Sequence, residues 1–456
     1  MKIIVLNGSP KGDVSVTMQY VAYIRKKFPD HEFRVVNVGS DIRKIEKDEA
    51  VFHSIIDDVR SAELVLFAFP LYYLLVASQY KRFIELLFER KTEDAFLGKY
   101  SASFSTSIHF MDHFAHRYIH AISDDLGMRY CGSYSADMKD LLKVGERLRL
   151  EQFMQLLFSS VQNNVPVQRE NAPLVWPELS YIPREVRRNV DTRGRKIVIL
   201  SDSTEDSSNL AMMTARVRSA FAETVELINL HEVNIRGGCL GCLQCGYDNS
   251  CVYTDGYRDL FDKKLIPADI IILAGTVHDR YLSSAWKQFF DRSFFHGHVP
   301  TLAGKQIGFV IAGPLQQLPH LKEALTAWAD NQKCNIHFVT DEVRESAELD
   351  ALLDAMAGRL VEASVADYIP PPTFYAVGGH KIFRDAIYGN IRFPFLADYR
   401  YYKKNELFDF PRMDLRTKVF SAIMILLIKI PGFRKKVLSD MKPHMIKPFE
   451  AVIRDA

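Results

Sequence analysis

The chain is poor in cysteine and tryptophan, and neither sign of charge is in excess. Its 456 residues include 6 Cys and 3 Trp, with 58 Lys and Arg against 56 Asp and Glu. Six cysteines are too few for the disulfide framework of a secreted scaffold. A net charge of +2 creates no overall field that would attract a nucleic acid. Composition therefore gives no support to a nucleic-acid partner.

Long apolar runs and low-complexity tracts are missing as well. The apolar run at residues 3–6 is far too short for a signal peptide. The lack of a signal-peptide pattern and the small number of cysteines together predict a reducing, cytoplasmic location. The proportions of hydrophobic residues, 48%, and charged residues, 25%, are those of an ordinary globular protein and exclude extensive disorder.

An internal repeat sets the predicted architecture. The apolar run at 2–7 returns at 196–201, an offset of 194. The run at 62–68 returns at 268–274 with an offset of 206, which is then held without a gap for some 40 residues. The second copy therefore carries 12 extra residues between its first and third strands, the difference between the two offsets.

Apolar strands alternate with helical patterns in each copy, which is typical of a doubly wound parallel sheet. Five strands with interleaved helices predict two tandem α/β units of flavodoxin-like type, with strand order 2-1-3-4-5. The predicted domains are residues 1–165 and 195–345, joined by a proline-containing linker at 166–194 and followed by a C-terminal helical, basic extension at 346–456.

The loop after the first strand has the residue types of a phosphate site. A glycine turn is followed by three hydroxyls and one cation, at Ser9, Lys11, Ser15 and Thr17. Helix N-termini bind phosphate through unpaired backbone N–H groups. The alternative is an ordinary hydroxyl-capped start of a helix.

The loop after the third strand is apolar and aromatic, with Pro70, Leu71, Tyr72 and Tyr73. A flat, largely apolar isoalloxazine ring requires such a wall. The alternative is that the two tyrosines pack against a dimer partner.

Four of the six cysteines, Cys239, Cys242, Cys245 and Cys251, lie within 13 residues, inside the insertion of the second copy. Three cysteines at a spacing of three, with a fourth soon after, are typical of a [4Fe–4S] ligand set. Zinc, or an empty or redox-active thiol loop, are the alternatives. Cys131 and Cys334 stand alone and are expected to be structural thiols.

The first copy resembles the NAD(P)H-dependent FMN reductase group of flavodoxin-like proteins, through Asn-Gly-Ser-Pro-Lys at 7–11 and Pro-Leu-Tyr at 70–72. The second copy, with its cysteines followed by Asp255 and the segment 287–292, resembles the iron-sulfur flavoproteins of the same superfamily. The resemblance covers about residues 1–165 and 195–340. It implies that Ser9, Lys11, Ser15 and Thr17 hold the FMN phosphate and that residues 70–73 flank the ring. Separately from the resemblance, Thr106 and His109 are predicted as further cofactor contacts, with flavin or substrate as the group that His109 would contact.

The second copy departs from this pattern. Carboxylates at 202, 205 and 206 oppose a phosphate in its first loop. His278 and Arg280 stand where the ring wall should be, and they are interpreted as surface-loop residues rather than as flavin contacts. We therefore expect the flavin in the first copy.

A histidine-rich segment follows the fourth strand, with His109, Asp112, His113, His116 and His120 at helical spacings. A shared metal is one interpretation. The preferred interpretation is a polar helix near the flavin edge, with Asp112 at its N-terminus.

The C-terminal segment is strongly basic. Residues 412–447 contain nine Lys or Arg and two Asp, a net charge of +7 in a chain whose total is +2. Within it, residues 419–428 are apolar except for Ser421, a run too short to span a bilayer. An interfacial helix on anionic lipid is one interpretation, and a helix buried at a domain or dimer interface is the other.

Taken together, these patterns predict an NAD(P)H-dependent flavin oxidoreductase. Electrons would pass through FMN and a [4Fe–4S] cluster to a quinone, flavin or protein acceptor. Two alternatives stay open: a non-catalytic electron carrier fed by a ferredoxin-like partner, and a zinc-stabilised scaffold. A homo-oligomer is also expected.

Overall fold

A computed structural model describes residues 1–186, 189–411 and 414–454. Arg187 and Arg188 of the predicted linker, and Arg412 of the basic segment, lie outside these ranges. The chain divides into two compact units, Met1–Tyr402 and Lys403–Ala456, which are described separately.

The first half of the larger unit is a five-stranded parallel sheet with strand order β2-β1-β3-β4-β5. Its elements in chain order are β1 (Lys2–Asn7), α1 (Val16–Lys27), β2 (Glu32–Val36), α2 (Ile42–Lys47), α3 (Glu49–Ser61), β3 (Leu64–Pro70), α4 (Ser78–Glu89), β4 (Tyr100–Ser107), α5 (His113–Asp125), β5 (Arg129–Asp137) and α6 (Val144–Gln162).

The second half repeats this order as β7-β6-β8-β10-β11, with a short β9 paired antiparallel to β8. Its elements are β6 (Ile197–Ser201), α7 (Asn209–Ser219), β7 (Glu226–Asn229), α8 (Gly256–Leu260), β8 (Ile270–His278), β9 (Tyr281–Leu282), α9 (Ser284–Arg292), β10 (Gln306–Ala312), α10 (Pro319–Asn331) and β11 (Asn335–Thr340). The predicted fold and the strand order 2-1-3-4-5 are confirmed in both copies.

Alternating side chains of the buried strands build separate cores on the two faces of each sheet. In β1, Ile3 and Val5 enter one core with α1 and α6, while Ile4 and Leu6 enter a large core that contains residues of both halves. This division follows from the two-residue period of a strand. The shared core places the two sheets on either side of common apolar packing.

In the described part of the chain, five further helices follow the second sheet. They are α11 (Ser346–Val365), α12 (Phe374–Tyr388), α13 (Leu396–Lys404) and, in the smaller unit, α14 (Leu415–Leu427) and α15 (Pro431–Arg454). The apolar face of α11 joins the outer core of the second sheet through Leu349, Leu353 and Leu360. The predicted domain bounds stay a prediction. They assign α11 to the C-terminal extension, whereas in the structure α11 packs against the second sheet.

Among the described residues, no helix is both long and apolar enough to cross a membrane.

Candidate functional site

The phosphate loop, residues 8–15, connects β1 to α1 by a tight turn. Ser9 is fully buried; its Oγ accepts the N–H of Lys11 at 3.2 Å, and its own N–H donates to Asn7 Oδ1 at 3.1 Å. Gly12 takes a left-handed φ of 57°, and the Oγ of Ser15 accepts the N–H of Met18 at 3.3 Å. The loop therefore presents the N-terminus of α1, where helical N–H groups have no intrahelical acceptor.

Thr17 and Thr106, both predicted as cofactor contacts, are bonded to each other. Their Oγ1 atoms lie 2.7 Å apart, and both residues are buried. This hydrogen bond joins the first turn of α1 to the end of β4. The roles of these two hydroxyls toward a cofactor stay predictions.

The ring loop, residues 70–75, leaves the end of β3 and turns back on itself. Tyr72 and Leu75 exchange two backbone hydrogen bonds of 2.8 and 3.0 Å. Between them, Tyr73 and Leu74 have φ angles of 39° and 70°, a conformation that side-chain-bearing residues rarely adopt. Such outliers cluster at functional sites.

Burial raises the pKa of both Tyr72 and Tyr73, which keeps the two phenols neutral. The N–H of Leu71 donates to the carbonyl oxygen of Thr106 at 3.2 Å. The ring loop is thereby tied to the end of β4, from which the histidine-rich segment starts.

His109 lies in that segment, half exposed, with a left-handed φ of 59°. Its Nδ1 is 3.1 Å from Asp112 Oδ2, and this hydrogen bond raises the pKa of His109. Burial opposes the charge of Asp112, but hydrogen bonds from His109, Ser135 and Ser107 outweigh it and lower the pKa of Asp112. Asp112 thus precedes α5 as predicted, but its side chain binds these three groups and does not cap the helix.

The interpretation of α5 as a polar helix is wrong for His116, which is buried. Its two ring nitrogens lie 2.7 and 2.8 Å from the hydroxyls of Ser103 and Ser105. Burial lowers its pKa to about 4, so the ring is neutral. The apolar residues of α5 recur at helical spacing, and this pattern indicated that the side of the helix with His116 faces the sheet.

The cysteine loop, residues 237–253, comes from the second half, between β7 and α8. Cys239, Cys242, Cys245 and Cys251 line one cavity, together with Arg292. Burial raises the pKa of Cys239 and of Cys245 to about 12. A thiolate in such surroundings needs a positive partner, which bound metal would supply.

Four thiols around one cavity are a suitable donor set for the predicted cluster. In the described parts of the chain, no group of three or more His, Cys, Asp or Glu side chains is already arranged to hold a metal ion. Cys131 and Cys334 lie apart from this cavity; Cys334 is buried, as expected, and Cys131 is half-buried.

A buried ion pair anchors the cysteine loop to α9. The Arg292 guanidinium makes two hydrogen bonds of 2.8 Å to Asp255 and a third of 3.1 Å to the carbonyl oxygen of Gly237. It also lies over the rings of Tyr253 and Tyr257, at 4.4 and 5.0 Å. These contacts fix both ends of the loop.

The cysteine loop of the second half lies directly against the phosphate and ring loops of the first half. Gln79 donates to the carbonyl oxygen of Cys239 at 3.2 Å. At Gly241, with a φ of 61°, an added Cβ would lie 2.0 Å from the hydroxyl oxygen of Tyr72 and 2.8 Å from Lys11 Cε. Sequence spacing gave no signal for this juxtaposition, because it depends on how the two copies pack.

The two copies pack through a reciprocal network on α4 and α9. Asp291 accepts the N–H of Ser78 at 2.7 Å, at the start of α4, and Glu85 accepts the N–H of Ser284 at 2.6 Å, at the start of α9. Within each helix, the carboxylate also pairs with a buried lysine, Lys81 in α4 and Lys287 in α9. Each pair of equivalent residues differs by 206 positions.

Lys81 and Lys287 also contact loops of the other copy. Lys287 Nζ donates to the carbonyl oxygen of Tyr72 at 2.9 Å, and Lys81 Nζ lies 3.6 Å from Asp279 Oδ2. The ring loop and its counterpart in the second half are therefore each held by a lysine of the other copy.

The loop of the second copy that corresponds to the ring loop has the same backbone conformation but different side chains. Asp279 and Arg280, 206 positions after Tyr73 and Leu74, are also left-handed, with φ angles of 42° and 66°. Arg280, expected on the surface, is buried: it makes two hydrogen bonds of 2.6 Å to Asp125 and one of 2.6 Å to the carbonyl oxygen of Ala172. That expectation was wrong because the partner carboxylate lies in the other copy.

The chain's own linker runs past the carboxyl ends of the second sheet. Gly313 follows β10, and a Cβ there would lie 3.1 Å from the ring of Trp176. Asn209, the first residue of α7, donates to the carbonyl oxygen of Leu179 at 2.7 Å and accepts the N–H of Tyr181 at 2.9 Å. Open α/β sheets bind ligands at the carboxyl ends of their strands, and in the second sheet the linker lies at these ends.

The first loop of the second copy is also unsuited to phosphate. Asp202 is buried, and its Oδ1 has no hydrogen-bond partner among the described residues. Burial raises the pKa of this carboxyl. A phosphate placed beside it would meet a buried acidic group rather than a cation.

The fold defines the class of protein: two flavodoxin-like domains in tandem. Residues 1–140 match the family model described as flavodoxin-like fold, and residues 195–342 match the model of NADPH-dependent FMN reductase. The predicted resemblance is confirmed by this tandem pair of matches.

Among curated proteins, the chain is similar to an iron-sulfur flavoprotein of Archaeoglobus fulgidus, with 34% identity over 96 residues. The matched part is 20% of this chain and 43% of that protein, so less than half of the relative is covered.

The chain is also similar to solved structures, two of which match 36% of its length. The flavoenzyme NAD(P)H:(acceptor) oxidoreductase FerB of Paracoccus denitrificans is 16% identical, with a TM-score of 0.29, over 36% of this chain and 97% of that one. An FMN-dependent NADH-azoreductase of Bacillus anthracis is 13% identical, with a TM-score of 0.25, over 36% and 100%.

Proposed function

We propose that the chain is a cytoplasmic NAD(P)H-dependent flavin oxidoreductase. FMN binds to the first half, and electrons pass through a [4Fe–4S] cluster in the cysteine loop to a quinone, flavin or protein acceptor. The close approach at Gly241 supports this proposal, because the cysteine loop of one half lies there against both the phosphate loop and the ring loop of the other.

The residues of the first half fit FMN. Its phosphate would be held by Ser9, Lys11 and Ser15 at the N-terminus of α1, where a helix favours negative charge. Its ring would lie against Leu71 and Tyr72. FMN, when bound, links two-electron donors to one-electron acceptors.

The chain's own groups then have distinct tasks. The left-handed turn at Tyr73 and Leu74 holds the ring wall in one conformation. His109, whose raised pKa keeps it protonated to higher pH, supplies positive charge beside the ring loop. The cysteine loop approaches both Lys11 and Tyr72 at Gly241, so that the thiols of this loop lie in the same region as the predicted flavin contacts.

The proposal includes one FMN per chain. In the second half, the linker lies along the ligand-binding edge, Arg280 is held by Asp125, and Asp202 replaces the glycine turn. These three features leave the first half as the flavin site.

Metal and flavin analysis of the protein purified without oxygen tests this assignment. We expect one FMN and about four iron atoms per chain, with a visible spectrum that bleaches when NADH or NADPH is added. Zinc without iron would eliminate the cluster, and two FMN per chain would contradict the single site. A protein that binds FMN but does not bleach would be an electron carrier fed by a protein donor.

Replacement of Lys11 tests the location of the phosphate. Lys11→Ala should raise the Kd for FMN about tenfold, since a charge-assisted hydrogen bond to phosphate is lost. Lys26→Ala is the matched control, because Lys26 lies at the C-terminal end of α1, far from the phosphate loop. Fluorescence quenching of FMN measures both, and equal affinities for the two variants would place the phosphate elsewhere.

A further inference from the structure

The smaller compact unit carries an exposed apolar helix, α14. Nine of the thirteen residues of α14 are apolar, and of these thirteen described residues none is buried. Phe420, Ile425 and Leu426 are each more than 60% exposed. A helix that is apolar on all sides is normally buried in a core or in lipid.

The following helix continues this surface. In α15, Leu438, Met441, Met445 and Val452 recur at helical spacing and are exposed. A spacing of three, four and seven residues places them along one side of the helix. Two consecutive helices thus present apolar side chains to the surroundings.

The basic residues around these helices identify the occupant. Positions 415–454 contain nine Lys or Arg against Asp440 and Glu450. Lys435 and Lys436, in the second turn of α15, are exposed. A second copy of the same segment would bring like charges together, whereas an anionic lipid surface offers both negative headgroups and an apolar interior.

The length of α14 decides how it would meet a bilayer. At about 1.5 Å per residue, thirteen residues span roughly 20 Å, less than the ~30 Å hydrocarbon core. An apolar helix of this length lies in the interface between headgroups and acyl chains, with flanking lysines among the headgroups.

We propose that residues 415–454 bind the surface of an anionic lipid bilayer, with α14 embedded at the level of the acyl chains and the basic residues on the headgroups. The proposal places a flavin oxidoreductase at a membrane surface, but lipid binding itself requires neither flavin nor metal.

Sedimentation of the full-length protein with vesicles tests the proposal. We expect binding to vesicles of phosphatidylcholine with about one third phosphatidylserine, and at least about tenfold weaker binding to phosphatidylcholine alone. The double variant Ile423→Glu/Ile425→Glu and the double variant Lys435→Glu/Lys436→Glu should each reduce binding to the anionic vesicles by about tenfold or more.

The matched control changes two exposed leucines of α6 in the other unit, Leu148→Glu/Leu156→Glu, and should bind like the unaltered protein. Failure of the unaltered protein to bind anionic vesicles would overturn the proposal, as would equal loss in the control. A fall from dimer to monomer in the Ile423→Glu/Ile425→Glu variant, in a protein that ignores vesicles, would assign the surface to a second copy. FMN content, measured in parallel, separates this outcome from failure of the flavin site.

Discussion

Because Gly241 has no side chain, the cysteine loop of the second half can approach the ring loop of the first half. Its backbone is left-handed, and the position of a Cβ is occupied by the Tyr72 hydroxyl and the Lys11 side chain. Glycine is required here for both reasons, since L-residues avoid this conformation and any side chain would have to displace its neighbours. The close approach of the cysteine loop to the ring loop therefore rests on one missing methyl group.

Gly241→Ala should lower the free energy of unfolding by about 1 to 2 kcal/mol and loosen the cysteine loop. Gly145→Ala is the control, because Gly145 lies in α6, has nothing within 4 Å of the added Cβ and has no positive φ. Urea unfolding measures both variants. Equal stability of the two would show that the loop does not pack on Tyr72 in solution.

The His109–Asp112 pair predicts a pH dependence of stability. The pKa of His109 is raised in the folded protein, so the folded state binds its proton more tightly than the unfolded state. The contribution is fully present below the unfolded pKa of about 6.5 and is lost as pH rises through the raised folded value.

The stabilities of the unaltered protein and of His109→Gln should therefore differ most below the unfolded pKa of about 6.5 and converge as the pH rises above the raised folded pKa. The imidazole resonances of His109 give its pKa directly by NMR. A stability difference that is constant across this pH range would mean that the pair is not charged as described.

At the scale of elements, α4 and α9 hold each other's first turns. Each helix receives a carboxylate from the other at an N-terminal N–H, where the helix dipole favours negative charge. Each carboxylate also neutralises a buried lysine on its own helix. Burial opposes the charge of Glu85, but Lys81, Ser284 and Arg82 outweigh it and lower its pKa.

Glu85→Ala should lower the free energy of unfolding by about 3 to 5 kcal/mol, because it leaves Lys81 buried without its main partner and removes the acceptor of the Ser284 N–H at the start of α9. Glu89→Ala, one turn later in α4 and half exposed, is the control and should cost less than about 1 kcal/mol. Chemical denaturation checks both. A cost for Glu85→Ala no larger than that for Glu89→Ala would contradict the reciprocal capping.

The elements of the first half were largely predictable, because continuous apolar runs and helical spacings determine them locally. The constant offset of 206 also anticipated the paired conformations of Tyr73 and Asp279. Contacts between copies were not predictable. The burial of Arg280 depends on Asp125, and the environment of the cysteine loop depends on Tyr72; both partners are far away in sequence and are joined only by packing.

At the scale of the whole molecule, the two halves share one apolar core and are joined by largely buried hydrogen bonds and ion pairs. Neither sheet can lose its packing without exposing the other. The halves should therefore unfold together, although each has the topology of an independent domain.

Calorimetry should show one transition for both halves, and FMN should shift that transition as a whole. At one hundred times its Kd, FMN adds about 2.7 kcal/mol to the stability of the folded state. Riboflavin, which lacks the phosphate, should shift it less at the same concentration. Two separate transitions, of which FMN moves one only, would show that the interface between the copies is weak.

The reciprocal helix pair has an evolutionary consequence. In a symmetric homodimer, every substitution appears in both sites, so neither subunit can give up cofactor binding while the other keeps it. Joining both copies in one chain removes this constraint, because residues 206 positions apart are free to differ. One half could then exchange its phosphate turn for Asp202 and acquire the cysteine loop, while the other kept Lys11 and the ring wall.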